Sequence, residues 1–275
     1  LNNDLYSGNV TIDSLYFEGS GSWDLTGPLN CDYLDFSKGV FNSNGQNLDC
    51  IEIYCYPFLS ASPITLNLEN SEITFSQLYA IHPLVFVKGA SSTFITQSLG
   101  GVMFLQDDTL GIVQSNGSLN ISGNAVVREI NVTGNLSSGN SSASELITAG
   151  KITVGGNLNI ESLTTDSLFI LSSGVTLNFD ILTINDVLQI QGTCEKPVIL
   201  KPSLSLNNAV INSPSTNFTI DFAVINSIQA VGSGTLTANN SYIIGNTSGW
   251  IINSPASREL YWIGSTGYWN NSANW

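Results

Sequence analysis

The sequence predicts an all-β protein: a right-handed parallel β-helix, or solenoid, of about 12 rungs, followed by the aromatic start of a further module. Three observations lead there. Apolar residues alternate with polar ones in bursts of about three to five residues, the period of a half-buried strand. Turn residues crowd between the bursts, since the 275 residues include 31 Asn, 37 Ser and 21 Thr, while strong helix formers are scarce. Stretches of the chain also align with one another at imperfect periods of roughly 19 to 22 residues, the length of one solenoid coil.

Taken in order, the first alignment carries Leu29, Asn30 and Cys31 onto Leu48, Asp49 and Cys50, and Leu34 onto Ile53. The next burst is Ile64, Leu66 and Leu68. Residues 137–144 carry no alternation and read as a surface loop or broad turn. Beyond them come Ile152 with Val154, Leu158 with Ile160, Val175 with Leu177, Leu182 with Ile184, Leu188 with Ile190, and Leu204 with Leu206. Gly-Asn pairs at 123, 134 and 156 mark turns at related spacings, and residues 37–40 (SKGV) read like residues 172–175 (SSGV). Asn suits such turns because it tolerates left-handed backbone and can hydrogen-bond to the Asn of the next rung. Rungs of about 20 residues over about 250 residues give a rod of roughly 60 Å. A pair of β-sandwiches also uses short alternating strands, but not turns this closely spaced.

Composition excludes several functions. A chain 42% hydrophobic can bury a core, so it is not an acidic disordered tail. The net charge of −14 and seven scattered bases disfavour nucleic acid and anionic membrane surfaces. No apolar run approaches the roughly 20 residues that cross a bilayer, so direct membrane insertion is not expected. No basic-then-apolar signal segment opens the chain, and Leu1 in place of a methionine fits a processed product or an excised piece.

Near residue 257 the character changes. Three of the five Trp (Trp262, Trp269 and Trp275) lie beyond that point, in a stretch too short for a core of its own. The expected organisation is therefore a solenoid over residues 1–256 and a cap or the beginning of another module over residues 257–275. A sugar-stacking platform is the alternative use of such a cluster.

The run at residues 260–275 (LYWIGSTGYWNNSANW) resembles the YWVGGxGxWxDxxxW openings of repeat modules in giant Bacteroidota cell-surface proteins. Residues 37–50 (SKGVFNSNGQNLDC), 66–74 (LNLENSEIT) and 238–250 (ANNSYIIGNTSGW) resemble other parts of such modules. Asn270 and Asn271 depart from the pattern, standing where an Asp is usual. This family includes the gliding-motility adhesins of the SprB type. The resemblance implies export by the type 9 secretion system, with its secretion and outer-membrane attachment components as partners. It also implies an extracellular, cell-surface location and contact with surface polysaccharide or an external substratum. Residues 1–256 would then finish one module and the rest begin the next.

Candidate chemistry is sparse. Polysaccharide lyases and hydrolases of β-helical fold need carboxylate clusters with basic partners. Here the only acidic doublet is Asp107-Asp108, which reads as a solvated loop tip. The only histidine, His82, precedes a proline and reads as a turn residue. No catalytic residue, metal or cofactor is expected. The cysteines, Cys31, Cys50, Cys55 and Cys194, lack a zinc spacing. Cys31 and Cys50 align one rung apart, either as stacked core thiols or as a rung-to-rung disulfide.

Ten Asn-x-Ser/Thr sequons are close to what composition alone produces (Asn9, Asn116, Asn120, Asn131, Asn135, Asn140, Asn217, Asn239, Asn246 and Asn270). Asp-Ser/Thr-Leu triplets at Ser14, Thr109 and Ser167 resemble the O-glycosylation signal of exported Bacteroidota proteins; the alternative is an Asp-Ser/Thr turn entering a strand. The expectation is a non-enzymatic stalk of a surface adhesin or filament, with a polysaccharide-binding or polysaccharide-cleaving β-helix as the alternative. An ice-binding solenoid ranks last, because the Thr residues form no Thr-x-Thr ladder at rung period.

Overall fold

The computed structural model describes residues 2–256 except 7, 9, 58–62, 81–84, 97–99, 106–107, 124, 139–145 and 204–207. Among the described residues there is no helix, and the parallel strands stack as a β-solenoid of about 11 turns, close to the expected 12. At one rung per 4.8 Å this is a rod of roughly 50 Å. The expected boundary at residue 256 and the aromatic run 257–275 lie at the edge of and outside the described residues.

The pairings define three faces. Face A starts with Asn2–Leu5, Ser22–Leu25, Gly39–Asn42 and Ile64–Asn67, and ends with Ala209–Asn212 and Ile228–Val231. Face B starts with the first halves of Thr11–Phe17, Leu29–Phe36 and Leu48–Cys55, and ends with Phe218–Asp221, Leu236–Asn239 and Trp250–Asn253. Face C takes the second halves of those early strands, and later Gln77–Tyr79, Ser118–Ser122, Leu136–Ser138 and Ala223–Asn226. Strands are longer than the bursts suggest, because some run across a corner without a break. Leu158–Ile170 pairs on one side with Leu136–Ser138 and then Leu146–Val154, and on the other with Thr176–Gln189 along nearly its whole length.

Alternation sends one side of every strand inward, and the rungs set those side chains in continuous columns. On face B the column runs Leu29, Leu48, Ile73, Phe94, Val113, Ile130, Ile152, Leu168 and Leu188. All nine are buried. On face C, Leu119, Leu136, Leu158, Leu177, Leu200 and Ile225 do the same. The N-terminal rungs are aromatic inside: the Phe17 and Phe36 rings stack 4.6 Å apart, with Trp23 edge-on to Phe17 at 4.9 Å. Each column buries apolar surface against the rung above and below, so a rung's stability belongs to its neighbours.

The sequence alignments map onto these columns unevenly. Leu29, Asn30, Cys31 and Leu34 pair with Leu48, Asp49, Cys50 and Ile53, as the 19-residue shift predicts. Asn135 and Asn157 also stack: the Asn157 N–H donates to Asn135 Oδ1 at 2.8 Å, and the Thr176 N–H donates to Asn157 Oδ1 at 2.7 Å. Gly123 lies at a different corner, so the shorter Gly-Asn spacing is not a rung. The SKGV and SSGV stretches share a left-handed glycine, Gly39 and Gly174, but lead into different faces. At Gly39 a Cβ would sit 2.6 Å from the Gly21 carbonyl oxygen, so the turn needs glycine on two counts. Three asparagines, Asn44, Asn70 and Asn240, also take positive φ.

One reading is corrected. Ser137 and Ser138 belong to a strand, not a loop, with Ser137 paired to both Asn120 and Asn159. Ser137 holds an outward position and Ser138 pairs with the buried Ile121; neither gives a hydrophobic signal, yet both complete the ladder. Residues 139–145 and 204–207 lie outside the described residues.

Candidate functional site

Cys31 and Cys50 are direct partners on adjacent rungs of face B, and both are buried. All four cysteines are free thiols in the structure. The Cys31 thiol hydrogen-bonds Cys50, and that contact together with burial pushes the Cys50 thiol well above its ordinary range. A buried thiol held protonated in this way is a poor nucleophile.

Ser14 and Thr109 are exposed, and Ser167 is half-buried. The triplets at Ser14 and Ser167 lie within strands, Thr11–Phe17 and Leu158–Ile170, and not at turns entering them, whereas the third opens its strand, Asp108–Ser115. The loop-tip reading of Asp108 is overturned: it is 3% exposed, and its Oδ1 accepts the Val87 N–H at 2.8 Å. It occupies the inward column that continues as Ala125, Ile147 and Leu163. Its position is set by strand alternation, which a polar doublet hides. Asp107 and His82 lie outside the described residues.

Of the sequon asparagines, Asn135 and Asn217 use Oδ1 to accept the backbone N–H of the next rung, Asn217 from Thr235 at 2.8 Å. Asn239 Oδ1 accepts from Asn253 Nδ2 at 2.7 Å. These residues serve the stacking of corners. Asn9, Asn140 and Asn270 lie outside the described residues.

The threonines are more ordered than the sequence suggests. Thr109, Val126, Thr148, Thr164 and Thr183 hold successive positions in one column of face A. It is a single column broken by a valine, not the paired Thr-x-Thr array of an ice-binding face, and uneven turn lengths conceal it in the sequence.

The arrangement sequence reasoning missed is a ribbon of tyrosines on the outside of face C. Tyr16 lies opposite Asp35, Asp35 opposite Tyr54, and Tyr54 opposite Tyr79, while Tyr33 reaches across from the neighbouring column. Ring centroids are 5.8 Å apart for Tyr16 and Tyr33, 5.2 Å for Tyr33 and Tyr54, and 4.3 Å for Tyr54 and Tyr79. Tyr54 and Tyr79 are stacked with planes 19° apart, so their faces cover one another and their edges look outward. Tyr16, on the first rung, is tilted by 47° from Tyr33 and 59% exposed. One tyrosine per turn was the signal, obscured because the turns differ in length.

Polar groups edge the ribbon. The Tyr33 hydroxyl donates to Asp35 Oδ2 at 3.4 Å, and the Tyr79 hydroxyl donates to Gln77 Oε1. Burial, then the hydroxyl of Tyr79, pushes the Tyr54 phenol up to about 12, so it stays protonated across the physiological range. Burial raises the Asp35 carboxyl; the Tyr33 hydrogen bond opposes this, and the Glu18 charge adds to it. Beside Tyr16 an open hollow of about 430 Å³ is lined by Tyr16, Phe17, Glu18, Asp35, Ser37 and Lys38. A second hollow of about 390 Å³, at the corner that follows the face B strands, is lined by polar residues such as Gln114, Asn131 and Thr153, with the exposed Leu171.

Among the described residues, the ion pair is Lys151 Nζ to Glu129 Oε1 at 3.2 Å, and no three His, Cys, Asp or Glu side chains converge as a metal site. No protein family, curated protein or solved structure matches the chain in comparison.

Proposed function

We propose that the chain is a non-enzymatic structural and adhesive segment of a large secreted cell-surface filament protein. It acts as a stiff stalk in surface adhesion or gliding motility, holding distal regions away from the cell. The observation that carries this reading is the unbroken inward column from Leu29 to Leu188. Bending the rod would open contacts in that column and stretch parallel hydrogen bonds at once, so stiffness follows from the stacking itself. The resemblance of residues 260–275 to adhesin modules supports export by the type 9 secretion system and attachment at the outer membrane, with polysaccharide or an external substratum as the contact. Ser14 and Thr109, exposed in strands, are the O-glycosylation candidates best placed for modification, with Ser167 less open. Sugars there would add polar bulk and oppose edge-to-edge association.

The test places the 275-residue chain between two globular markers and images the fusion by electron microscopy. A stalk holds the markers at one narrow separation. A broad spread of separations, or turnover of polysaccharide by the purified chain, overturns the reading.

A further inference from the structure

The triplet Ser-Asn-Gly occurs twice, at Ser43-Asn44-Gly45 and Ser115-Asn116-Gly117, and the fold treats the two copies oppositely. Asn44 is locked. It takes φ 52° and Gly45 φ 75°, in a turn that the Gln46 N–H closes on the Ser43 carbonyl at 2.9 Å. Left-handed backbone turns the Cβ of an asparagine away from the next nitrogen. Asn44 Nδ2 also donates to the Leu25 carbonyl at 3.2 Å. Asn116 is open. With Gly117 it makes the whole corner between Asp108–Ser115 and Ser118–Ser122, and neither residue takes positive φ. Its exposed side chain lines the hollow of about 390 Å³ and has no hydrogen-bond partner among the described residues. No ladder bond ties the Gly117 nitrogen, whose N–H makes a long contact of 3.3 Å with Ser115 Oγ.

We infer that Asn116 is a modification site, where the side-chain amide is lost through a cyclic imide and replaced by aspartate or isoaspartate. The Gly117 nitrogen gives its proton to hydroxide and attacks Asn116 Cγ, forming a C–N bond. The Cγ–Nδ2 bond then breaks, and ammonia leaves with a proton taken from water, which restores the hydroxide. Water next adds to one of the two imide carbonyls. Breaking the bond from Cγ to the Gly117 nitrogen gives aspartate in the original main chain. Breaking the bond from the Asn116 backbone carbonyl carbon instead leaves the chain running through Cγ, as isoaspartate. Nothing is oxidised or reduced, and water is the co-reactant. Glycine favours the attack, because no Cβ on residue 117 hinders the approach of its nitrogen. Either product adds a negative charge to a chain of net charge −14. Isoaspartate also lengthens the main chain by a carbon at the corner where the Gly117 carbonyl accepts the Gly134 N–H at 2.8 Å, so it disturbs the stacking of the next rung.

The inference stands apart from the stalk reading, which needs no modification at this corner. The test incubates the 275-residue chain in neutral and in mildly alkaline buffer, both folded and in urea. Peptides are then mapped by mass spectrometry, with fragmentation that separates isoaspartate from aspartate. In the folded chain Asn116 converts about tenfold faster than Asn44, which must first give up its turn and the Leu25 hydrogen bond. Alkali speeds the reaction, since the Gly117 nitrogen must lose its proton. In urea the identical triplets convert at similar rates, so the selection belongs to the fold. Gly117→Ala, which needs no left-handed backbone there, slows conversion at Asn116 about tenfold and leaves Asn44 unchanged. Absence of conversion at Asn116 over the time in which the urea-unfolded chain converts overturns the inference. So does an equal or faster reaction at Asn44 in the folded chain, the same preference in urea, or indifference to Gly117→Ala. None of these outcomes bears on marker separation, so the stalk reading is judged independently.

Discussion

Gly89 and Phe94 share one space in the core. A Cβ on Gly89 would lie 2.6 Å from Phe94 Cζ and 2.9 Å from Cε2, while the Phe94 ring is fully buried in the face B column. The glycine is there to admit the ring, and its backbone conformation does not demand glycine. Gly89→Ala is therefore expected to cost about 1–3 kcal/mol by overpacking. Combining it with Phe94→Leu is expected to cost less than the sum of the two single changes. A double-mutant cycle by urea denaturation measures this, and simple additivity would show that the two residues do not compete. Asp108 shows the same dependence on place. In sequence it belongs to a polar doublet, whereas in the fold it is an inward residue with a backbone partner on the previous rung.

Strands and corners tolerate change differently. One turn carries Ile147 onto Leu163 and another carries Leu182 onto Ile211, yet both place the next residue in the same column. The difference in length is taken up in corners such as residues 193–196, which are exposed and closed by reciprocal backbone hydrogen bonds between Thr193 and Lys196. A Gly-Ser pair inserted between Cys194 and Glu195 is expected to lower stability by no more than about 1 kcal/mol, the cost of a modestly longer loop. A single Ala inserted between Leu163 and Thr164 exchanges inward for outward residues along the rest of that strand segment. It is expected to abolish cooperative unfolding of the rungs around it. Denaturation curves distinguish the two, and equal effects would mean that corner length is also constrained.

For the molecule as a whole, the balance lies between stacked columns and self-repulsion. Net charge is −14, and the described residues contain one ion pair, on the surface between Lys151 and Glu129. A surface pair contributes at most about 1 kcal/mol, so screening the excess of acids outweighs its loss. The melting temperature is expected to rise by a few degrees between low salt and about 0.5 M sodium chloride, where the Debye length shrinks to about 4 Å. Calorimetry at both salt concentrations checks it, and a fall would show that specific ion pairs matter more than net charge.

The sequence by itself determined the solenoid, the size of its rungs and the chemistry of its corners. Alternation, left-handed Asn and Gly turns and the shift of Leu29, Cys31 and Leu34 onto Leu48, Cys50 and Ile53 are local or nearly constant in spacing, so they survive in one dimension. Tertiary structure alone decided what lies above what elsewhere. Contact between rungs depends on the summed length of every strand and corner between them, and that length varies from turn to turn. The tyrosine ribbon, the threonine column and the buried Asp108 are therefore invisible as motifs. They exist because parallel stacking brings residues of unequal spacing to the same height on the rod.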